Sequence, residues 1–64
     1  MLVNTVRKLR TDRKMTQETL AALVCTSNRT IGNIENCKHD PSCELCIRIA
    51  QVFGKRVEDI FEIK

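Results

Sequence analysis

The sequence contains no long apolar run. Nowhere do about 18 or more apolar residues follow one another, the length that a membrane-spanning helix needs. The N-terminal stretch MLVNTVRKLR lacks the apolar centre of a secretory signal peptide. Glycine occurs twice and proline once, and there is no internal repeat, low-complexity tract or linker. We therefore expect no membrane span, a cytoplasmic location and one packed domain over residues 1–64.

The chain also lacks the groupings that catalysis needs. No acid is set beside a base and no nucleophile beside a base, and 64 residues leave no room for a sizeable pocket. Enzymatic activity is not expected, and no cofactor or small-molecule ligand is indicated. A core this small supplies only about 3–5 kcal/mol, so association into a homodimer is expected on size alone.

Four cysteines are many for so short a chain. A disulfide framework is one interpretation, but no secretion signal accompanies them, so we expect reduced thiols. Cys43 and Cys46 have the C-x-x-C spacing of metal and redox sites. Zinc would need two further ligands, which Cys25, Cys37 or His39 could supply only if the fold brought them close. Because free cysteine packs as a small hydrophobe, we predict that Cys43 and Cys46 belong to the core.

The formal net charge of +3 is unevenly distributed. Residues 1–38 hold seven of the eleven Lys and Arg residues and three of the eight acids. Residues 39–64 hold the other four basic residues and the other five acids. A solvated run of charges explains this pattern as well as a phosphate-facing surface does. The motif contained in the basic half favours the phosphate-facing surface.

That motif is the run QETLAALVCTSNRTIGNIEN, which predicts two short amphipathic helices joined by a tight turn. Leu20, Ala21 and Val24 recur at the spacing of one helical face. Ser27 is a good N-cap, so the second helix is predicted to begin at about Asn28.

The second of these helices has two different sides. Ile31 and Ile34 point one way, and the opposite side gathers four residues: Asn28, Arg29, Gly32 and Asn33. A guanidinium group can bind guanine O6 and N7 together, and a carboxamide can do the same with adenine N6 and N7. The pattern therefore predicts that one side packs and the other reads bases in a DNA groove.

Apolar spacing and turn residues predict five helices in all. They cover about 5–13, 17–24, 28–36, 42–53 and 57–61, with Gly54 as a C-terminal cap of the fourth. The Asp-Pro step at residues 40–41 separates the third helix from the fourth. The predicted fold is all-α, with five compact helices.

The chain resembles the helix-turn-helix domains of the Cro and phage-repressor type, the Xre family. The resemblance runs through VRKLRTDRKMTQETLA, TIGNIENCKHDPS and RIAQVFGKRVEDIF, and includes the signature IEN. It implies a lambda-repressor-like fold, with a short β-pairing of residues 2–3 with 61–63 near the dimer contact. Small members of the family end shortly after an EDIF-like segment, so no separate effector domain is expected.

The resemblance also implies roles for individual residues. Three residues stand at positions where members of the family contact base edges: Asn28, Arg29 and Asn33. Further contacts to DNA, including phosphate contacts, are expected from Gln17, Ser27, Thr30, Gly32, Lys38 and His39, with Arg13 or Lys14 as additional candidates for the backbone. Arg10 and Glu35 are expected to form a structural ion pair that joins the first helix to the end of the third.

Four positions have more than one interpretation. Cys25 and Cys37 stand where the family usually has glycine, and a positive φ would strain a cysteine by roughly 1 kcal/mol or more, so another turn geometry is expected. Gly32 costs its helix about 1 kcal/mol relative to alanine, explained either by close approach to DNA or by tolerance at a solvent-facing site. His39 is a solvated loop residue or a pH-sensitive phosphate contact.

The sequence thus predicts a sequence-specific DNA-binding transcriptional regulator, by default a repressor. It would bind double-stranded DNA as a homodimer on a two-fold-related operator, with a third helix from each subunit in successive major grooves. Two alternatives remain open at this point. One is a protein-interaction module such as an antitoxin, and the other is a thiol- or metal-responsive switch.

Overall fold

A computed structural model describes all 64 residues and contains five helices and two short strands. In chain order these are β1 Leu2–Asn4, α1 Val6–Asp12, α2 Gln17–Leu23, α3 Asn28–Glu35, α4 Cys43–Phe53, α5 Val57–Ile60 and β2 Phe61–Ile63. Every helix lies within one residue of its predicted bounds. The expected pairing of the chain ends is also confirmed, since β1 and β2 form an antiparallel ribbon. No helix is both long enough and apolar enough to cross a bilayer.

Hydroxyl side chains begin three of the helices. Thr16, Ser27 and Ser42 each accept a hydrogen bond from the backbone N–H three residues later, at 3.0, 3.2 and 3.1 Å. Each cap satisfies one of the free amides that open a helix. These caps explain why α2, α3 and α4 begin where the sequence predicts.

Four helices end in the same left-handed turn. The residues with positive φ are Lys14 (53°), Cys25 (60°), Cys37 (58°) and Gly54 (63°). After α3, the Cys37 N–H donates to Ile34 O at 3.0 Å and the Lys38 N–H donates to Asn33 O at 2.8 Å. This pair of bonds satisfies two carbonyls that would otherwise be free at the helix end.

The prediction that Cys25 and Cys37 adopt another turn geometry is therefore wrong. Both residues hold the left-handed conformation that glycine would favour. The Cys25 turn makes the same two bonds, from Cys25 N to Ala22 O at 3.4 Å and from Thr26 N to Ala21 O at 2.9 Å. Since these bonds also fix the path between α2 and α3, the strain at cysteine is tolerated.

Eleven apolar residues form one core to which every helix contributes. They are Val6, Leu20, Ala21, Val24, Ile31, Ile34, Ile49, Ala50, Phe53, Ile60 and Phe61. The predicted inward faces of α2 and α3 are confirmed. The prediction for Cys43 is wrong, because this first residue of α4 is exposed. Leu45 and Cys46 are the first α4 side chains that pack against the core.

Asn4 connects the ribbon to the helices. Its Nδ2 donates to Ile34 O at 3.0 Å, and its Oδ1 accepts from the Val6 N–H at 3.1 Å. The ribbon is thereby fixed to the end of α3 and to the start of α1.

Candidate nucleic-acid interface

The N-terminus of α3 is fixed by a small hydroxyl network. Ser27 Oγ accepts from the Thr30 N–H, and it lies 2.9 Å from Thr30 Oγ1. Both side chains are thus engaged with each other at the helix start. Their hydroxyl groups hold the first turn of α3 in place for the residues that follow.

The two sides of α3 differ as predicted. Ile31 and Ile34 are 0% and 1% exposed, whereas Asn28 and Arg29 are exposed and Asn33 is half-buried. The side chains of Asn28, Arg29 and Asn33 make no hydrogen bond within the protein. They form a polar patch on a helix whose other side is fixed in the core, and their donors and acceptors are free for a ligand.

Gly32 lies against α2 rather than in open solvent. The position is half-buried, and a Cβ built there would lie 3.6 Å from Gln17 Nε2, an ordinary van der Waals contact. An alanine would fit at this position, so the interpretation of Gly32 as tolerated at a partly solvent-facing site stays a prediction. Its interpretation as a point of close approach to DNA stays a prediction.

An ion pair joins α1 to the end of α3. Arg10 Nε lies 2.7 Å from Glu35 Oε2, and Arg10 Nη2 lies 3.2 Å from Glu35 Oε1. The same guanidinium donates to Met15 O at 2.7 Å. The side chains of Arg10 and Glu35 are 12% and 0% exposed, so the pair is largely withdrawn from water.

Two further side chains complete this network, and sequence reasoning missed both contacts. Gln17 Nε2 donates to Glu35 Oε1 at 3.1 Å, and Arg7 Nε lies 3.4 Å from the same oxygen. Arg7 also donates to Asn36 Oδ1 at 2.7 Å. The available signal was the spacing of Arg7 and Arg10, which places both on one face of α1. The buried carboxylate thus orients Gln17, at the start of α2, relative to α3.

This network sets the protonation of Glu35. Burial alone would raise the pKa of its carboxyl, but the bonds from Arg10, Gln17 and Arg7 outweigh burial and hold that pKa below its ordinary value. Since the folded pKa is lower than the unfolded one, the carboxylate contributes stability above the unfolded pKa of about 4.3. That stability is lost as the pH falls through the folded value.

We therefore expect the melting temperature to fall as the pH drops below about 4.3. Carbon NMR of the Glu35 carboxyl, recorded through an acid titration, measures the responsible group directly. Its midpoint is expected below about 4.3, and a midpoint above that value would contradict the network described here.

The loop after α3 presents Lys38 and His39, both exposed and neither in an ion pair. Arg13, an additional candidate for the DNA backbone, is engaged elsewhere. Its guanidinium donates to Val52 O and Phe53 O, each at 3.0 Å, and lies 5.1 Å from the centre of the Phe53 ring. Arg13 thus caps the C-terminal carbonyls of α4, and its contact with the DNA backbone stays a prediction.

The cysteines form no metal site. The structure contains no group of three or more His, Cys, Asp or Glu side chains that could hold a metal ion. Burial raises the pKa of the Cys46 thiol, and the charges of Cys43 and Asp40 act in the same direction. A raised thiol pKa disfavours the thiolate that metal binding and disulfide exchange require.

The fold and the exposed polar side of α3 together define a small helix-turn-helix domain. A profile of the helix-turn-helix family matches residues 6–60. An uncharacterised HTH-type transcriptional regulator of Methanocaldococcus jannaschii is 43% identical over 58 residues, covering 91% of this chain and 88% of that protein. Another such regulator, from Archaeoglobus fulgidus, is 43% identical over 56 residues, covering 88% of this chain and 80% of that protein. The chain belongs to the helix-turn-helix family of DNA-binding transcriptional regulators, of the Xre, Cro and phage-repressor type. This family is not a class of enzymes.

Solved structures show the same fold. The P22 c2 repressor, crystallised with a synthetic operator, aligns with a TM-score of 0.80 at 23% identity, covering 83% of this chain and 80% of that one. A protein of Bacteroides fragilis described as DNA-binding aligns with a TM-score of 0.84 at 19% identity, covering 97% of this chain and 100% of that one. The lambda-repressor-like fold predicted from the sequence is confirmed.

Proposed function

We propose that the protein is a sequence-specific repressor that binds a two-fold-related DNA operator as a homodimer, with α3 in the major groove. The observation that carries this proposal is the polar patch of Asn28, Arg29 and Asn33. Their side chains have no partners within the protein, although the helix that bears them is firmly held. A repressor acts where the DNA is, so a cytoplasmic location is part of the proposal.

Base reading is assigned to this patch by its chemistry. The Arg29 guanidinium is suited to guanine O6 and N7, and the carboxamides of Asn28 and Asn33 are suited to adenine N6 and N7. Ser27 and Thr30 stabilise the first turn of α3 and lie beside the same surface. Family membership supports the assignment, as does the operator bound in the structure of the P22 c2 repressor.

Phosphate contacts are assigned to residues around the patch. Lys38 and His39 are exposed just beyond α3, where a cation would meet the DNA backbone. Gln17 uses one amide hydrogen on Glu35, which leaves its second hydrogen for a phosphate oxygen. Gly32 lies next to Gln17, where the absence of a side chain permits close approach of the backbone.

Dimeric binding follows from the size of the domain and the geometry of B-DNA. One α3 reads only a few base pairs, so a second copy one helical turn away, at about 34 Å, supplies the rest of the site. Repression is proposed through occlusion of polymerase at an overlapping promoter.

Alanine substitutions separate base reading from phosphate contact. On a duplex selected from random sequence, we expect Asn33→Ala to cost about 1–3 kcal/mol of binding and to relax the preference at its base position. Lys38→Ala should weaken binding to all duplexes alike and reduce the slope of log affinity against log salt. Fluorescence anisotropy across a salt series, against a scrambled duplex, measures both effects.

Thermal unfolding of each variant controls for loss of fold. Asn33 has no side-chain hydrogen bond to lose, so its variant should melt near the wild type. If Asn33→Ala, like Lys38→Ala, weakens binding to the selected and the scrambled duplex equally, base reading by Asn33 is contradicted.

A further inference from the structure

The first turn of α4 carries two cysteines on one face. Cys43 is the first residue of the helix, and Cys46 follows three residues later. Residues three apart are neighbours on a helix surface, with about 5–6 Å between their Cβ atoms. Cys43 is exposed, whereas Cys46 is half-buried and packs against the core. One thiol of the pair is thus open to solvent, and the other is shielded.

The pair can close a disulfide with a small change in the backbone. A disulfide needs Cα atoms about 4.4–6.8 Å apart, and a step of three residues along a helix separates Cα atoms by about 5 Å. It also needs Cβ atoms about 3.5–4.5 Å apart, so the Cβ atoms of Cys43 and Cys46 must approach by about 1–2 Å.

The first turn is the part of α4 that adjusts most readily. Its first N–H groups have no acceptor on a preceding turn. The Leu45 and Cys46 N–H groups donate instead to the N-cap residue, to Ser42 Oγ at 3.1 Å and to Ser42 O at 2.9 Å. Closing the disulfide therefore strains the capping of α4 and leaves the rest of the helix in place.

The other two cysteines cannot form the same bridge with each other. Cys25 precedes α3 and Cys37 follows it, and the eight residues of this helix span about 12 Å. Cα atoms more than about 7 Å apart cannot be bridged without movement of the backbone. Among the four thiols, the spacing that suits a disulfide belongs to Cys43 and Cys46.

We propose that Cys43 and Cys46 form a dithiol site, which a low-molecular-weight disulfide oxidises to a reversible disulfide within one chain. The Cys43 thiolate attacks the small disulfide, R–S–S–R. A bond forms between Cys43 Sγ and one sulfur, and the other sulfur leaves and takes up a proton as R–SH. The Cys46 thiolate then attacks Cys43 Sγ and releases the second R–SH. The two protein thiols lose two electrons and two protons, which reduce one R–S–S–R to two R–SH.

The different exposure of the two thiols sets the order of these steps. Cys43 is open to a reagent from solution. Burial raises the pKa of the Cys46 thiol, which slows its own reaction with such a reagent. The attack of Cys46 on the mixed disulfide is intramolecular, so a high effective concentration offsets its small fraction of thiolate. Because the product is strained and partly exposed, reduced thiols should reverse it.

This site goes beyond the proposed function, and its test needs no DNA. The full chain is equilibrated in buffers with a rising ratio of oxidised to reduced glutathione, quenched with acid, and treated with an alkylating reagent that blocks free thiols. Trypsin, which cuts after Lys and Arg, places both cysteines of the site in one peptide, 39–48. The other two cysteines fall in separate peptides, 15–29 and 30–38. Mass spectrometry of the peptides then identifies the state of each thiol.

As the ratio rises, peptide 39–48 of the wild type is expected to lose two hydrogen atoms, to escape alkylation and to carry no glutathione. Returning the sample to reduced glutathione should restore both alkylation sites. Cys46→Ser should never lose the two hydrogen atoms, and its oxidised peptide should carry one glutathione group. Cys43→Ser should leave Cys46 as a thiol at the ratio that half-oxidises the wild type. The double variant Cys25→Ser, Cys37→Ser should show the wild-type midpoint, because neither residue takes part.

Circular dichroism of the same samples shows whether the domain is folded. The proposal is overturned if peptide 39–48 keeps its thiols or takes up two glutathione groups at every ratio, if its cysteines join another peptide or a second copy of this one, or if the disulfide appears only in samples that have lost the helical signal. It is also overturned if reduced glutathione does not restore the thiols. Such a failure leaves the proposed function standing, because preference for a DNA sequence is measured on the reduced protein.

Discussion

Replacing Arg10 by methionine is expected to leave the domain largely unfolded at ordinary temperature. Methionine retains much of the aliphatic stem but leaves the Glu35 carboxylate, 0% exposed, without its two bonds from the guanidinium. Removing one partner of a buried ion pair costs about 3–5 kcal/mol. A core of this size supplies a similar amount, so little stability remains. Circular dichroism and urea unfolding measure the loss.

Lys8→Met is the matched control. Lys8 lies on α1 and pairs with Asp12 at 3.1 Å, but the two side chains are 75% and 60% exposed. Because water screens such a pair, this variant should lose only about 0.5 kcal/mol or less. Equal stability of the two variants would contradict the structural role given to Arg10. If the role is right, loss of DNA binding in Arg10→Met reports unfolding rather than a missing phosphate contact.

Replacing Cys25 and Cys37 by glycine is expected to stabilise the domain. Each cysteine holds a φ near 60°, which costs a residue with a Cβ roughly 1 kcal/mol and costs glycine nothing comparable. The double variant should therefore gain about 2 kcal/mol. In a domain of this size, each kcal/mol raises the melting temperature by about 4–8 °C, which differential scanning calorimetry resolves.

Two further variants test the cause of this gain. Cys25→Ala removes the sulfur, together with its long 3.9 Å contact to Arg48 Nη1, but keeps the Cβ, so it should recover little stability. Cys43→Gly changes an exposed cysteine at the start of α4, where glycine should destabilise by up to about 1 kcal/mol. If glycine lowers the melting temperature at positions 25 and 37 as well, backbone strain is not what these cysteines contribute.

Local rules were enough to predict the helices. The hydroxyl cap at Ser27 and the apolar spacing of α2 and α3 act within a few residues, so the sequence alone reveals them. The Cys25 and Cys37 turns were mispredicted for the opposite reason. The positive φ of each cysteine is held by two backbone bonds, and those bonds exist only once the helix ends are formed.

The candidate site was predictable to a similar extent. The division of α3 into a packed side and a polar side follows from the 3.6-residue repeat. The contact of Gln17 with Glu35, and the place of Gly32 against Gln17, depend on how α2 crosses α3, which periodicity does not specify. Arg13 shows the same limit, because a basic residue at the end of α1 could equally bind phosphate or the carbonyls of a distant helix.

Selection of bound duplexes from a random-sequence library, using the full chain, tests the central claim most directly. We predict enrichment of one two-fold-related sequence whose half-sites are centred about 10 base pairs apart, bound about 10³-fold or more tightly than scrambled DNA. Enrichment of no sequence, with equal and steeply salt-dependent binding to every duplex, would contradict base reading by α3 and leave only attraction between basic side chains and phosphate.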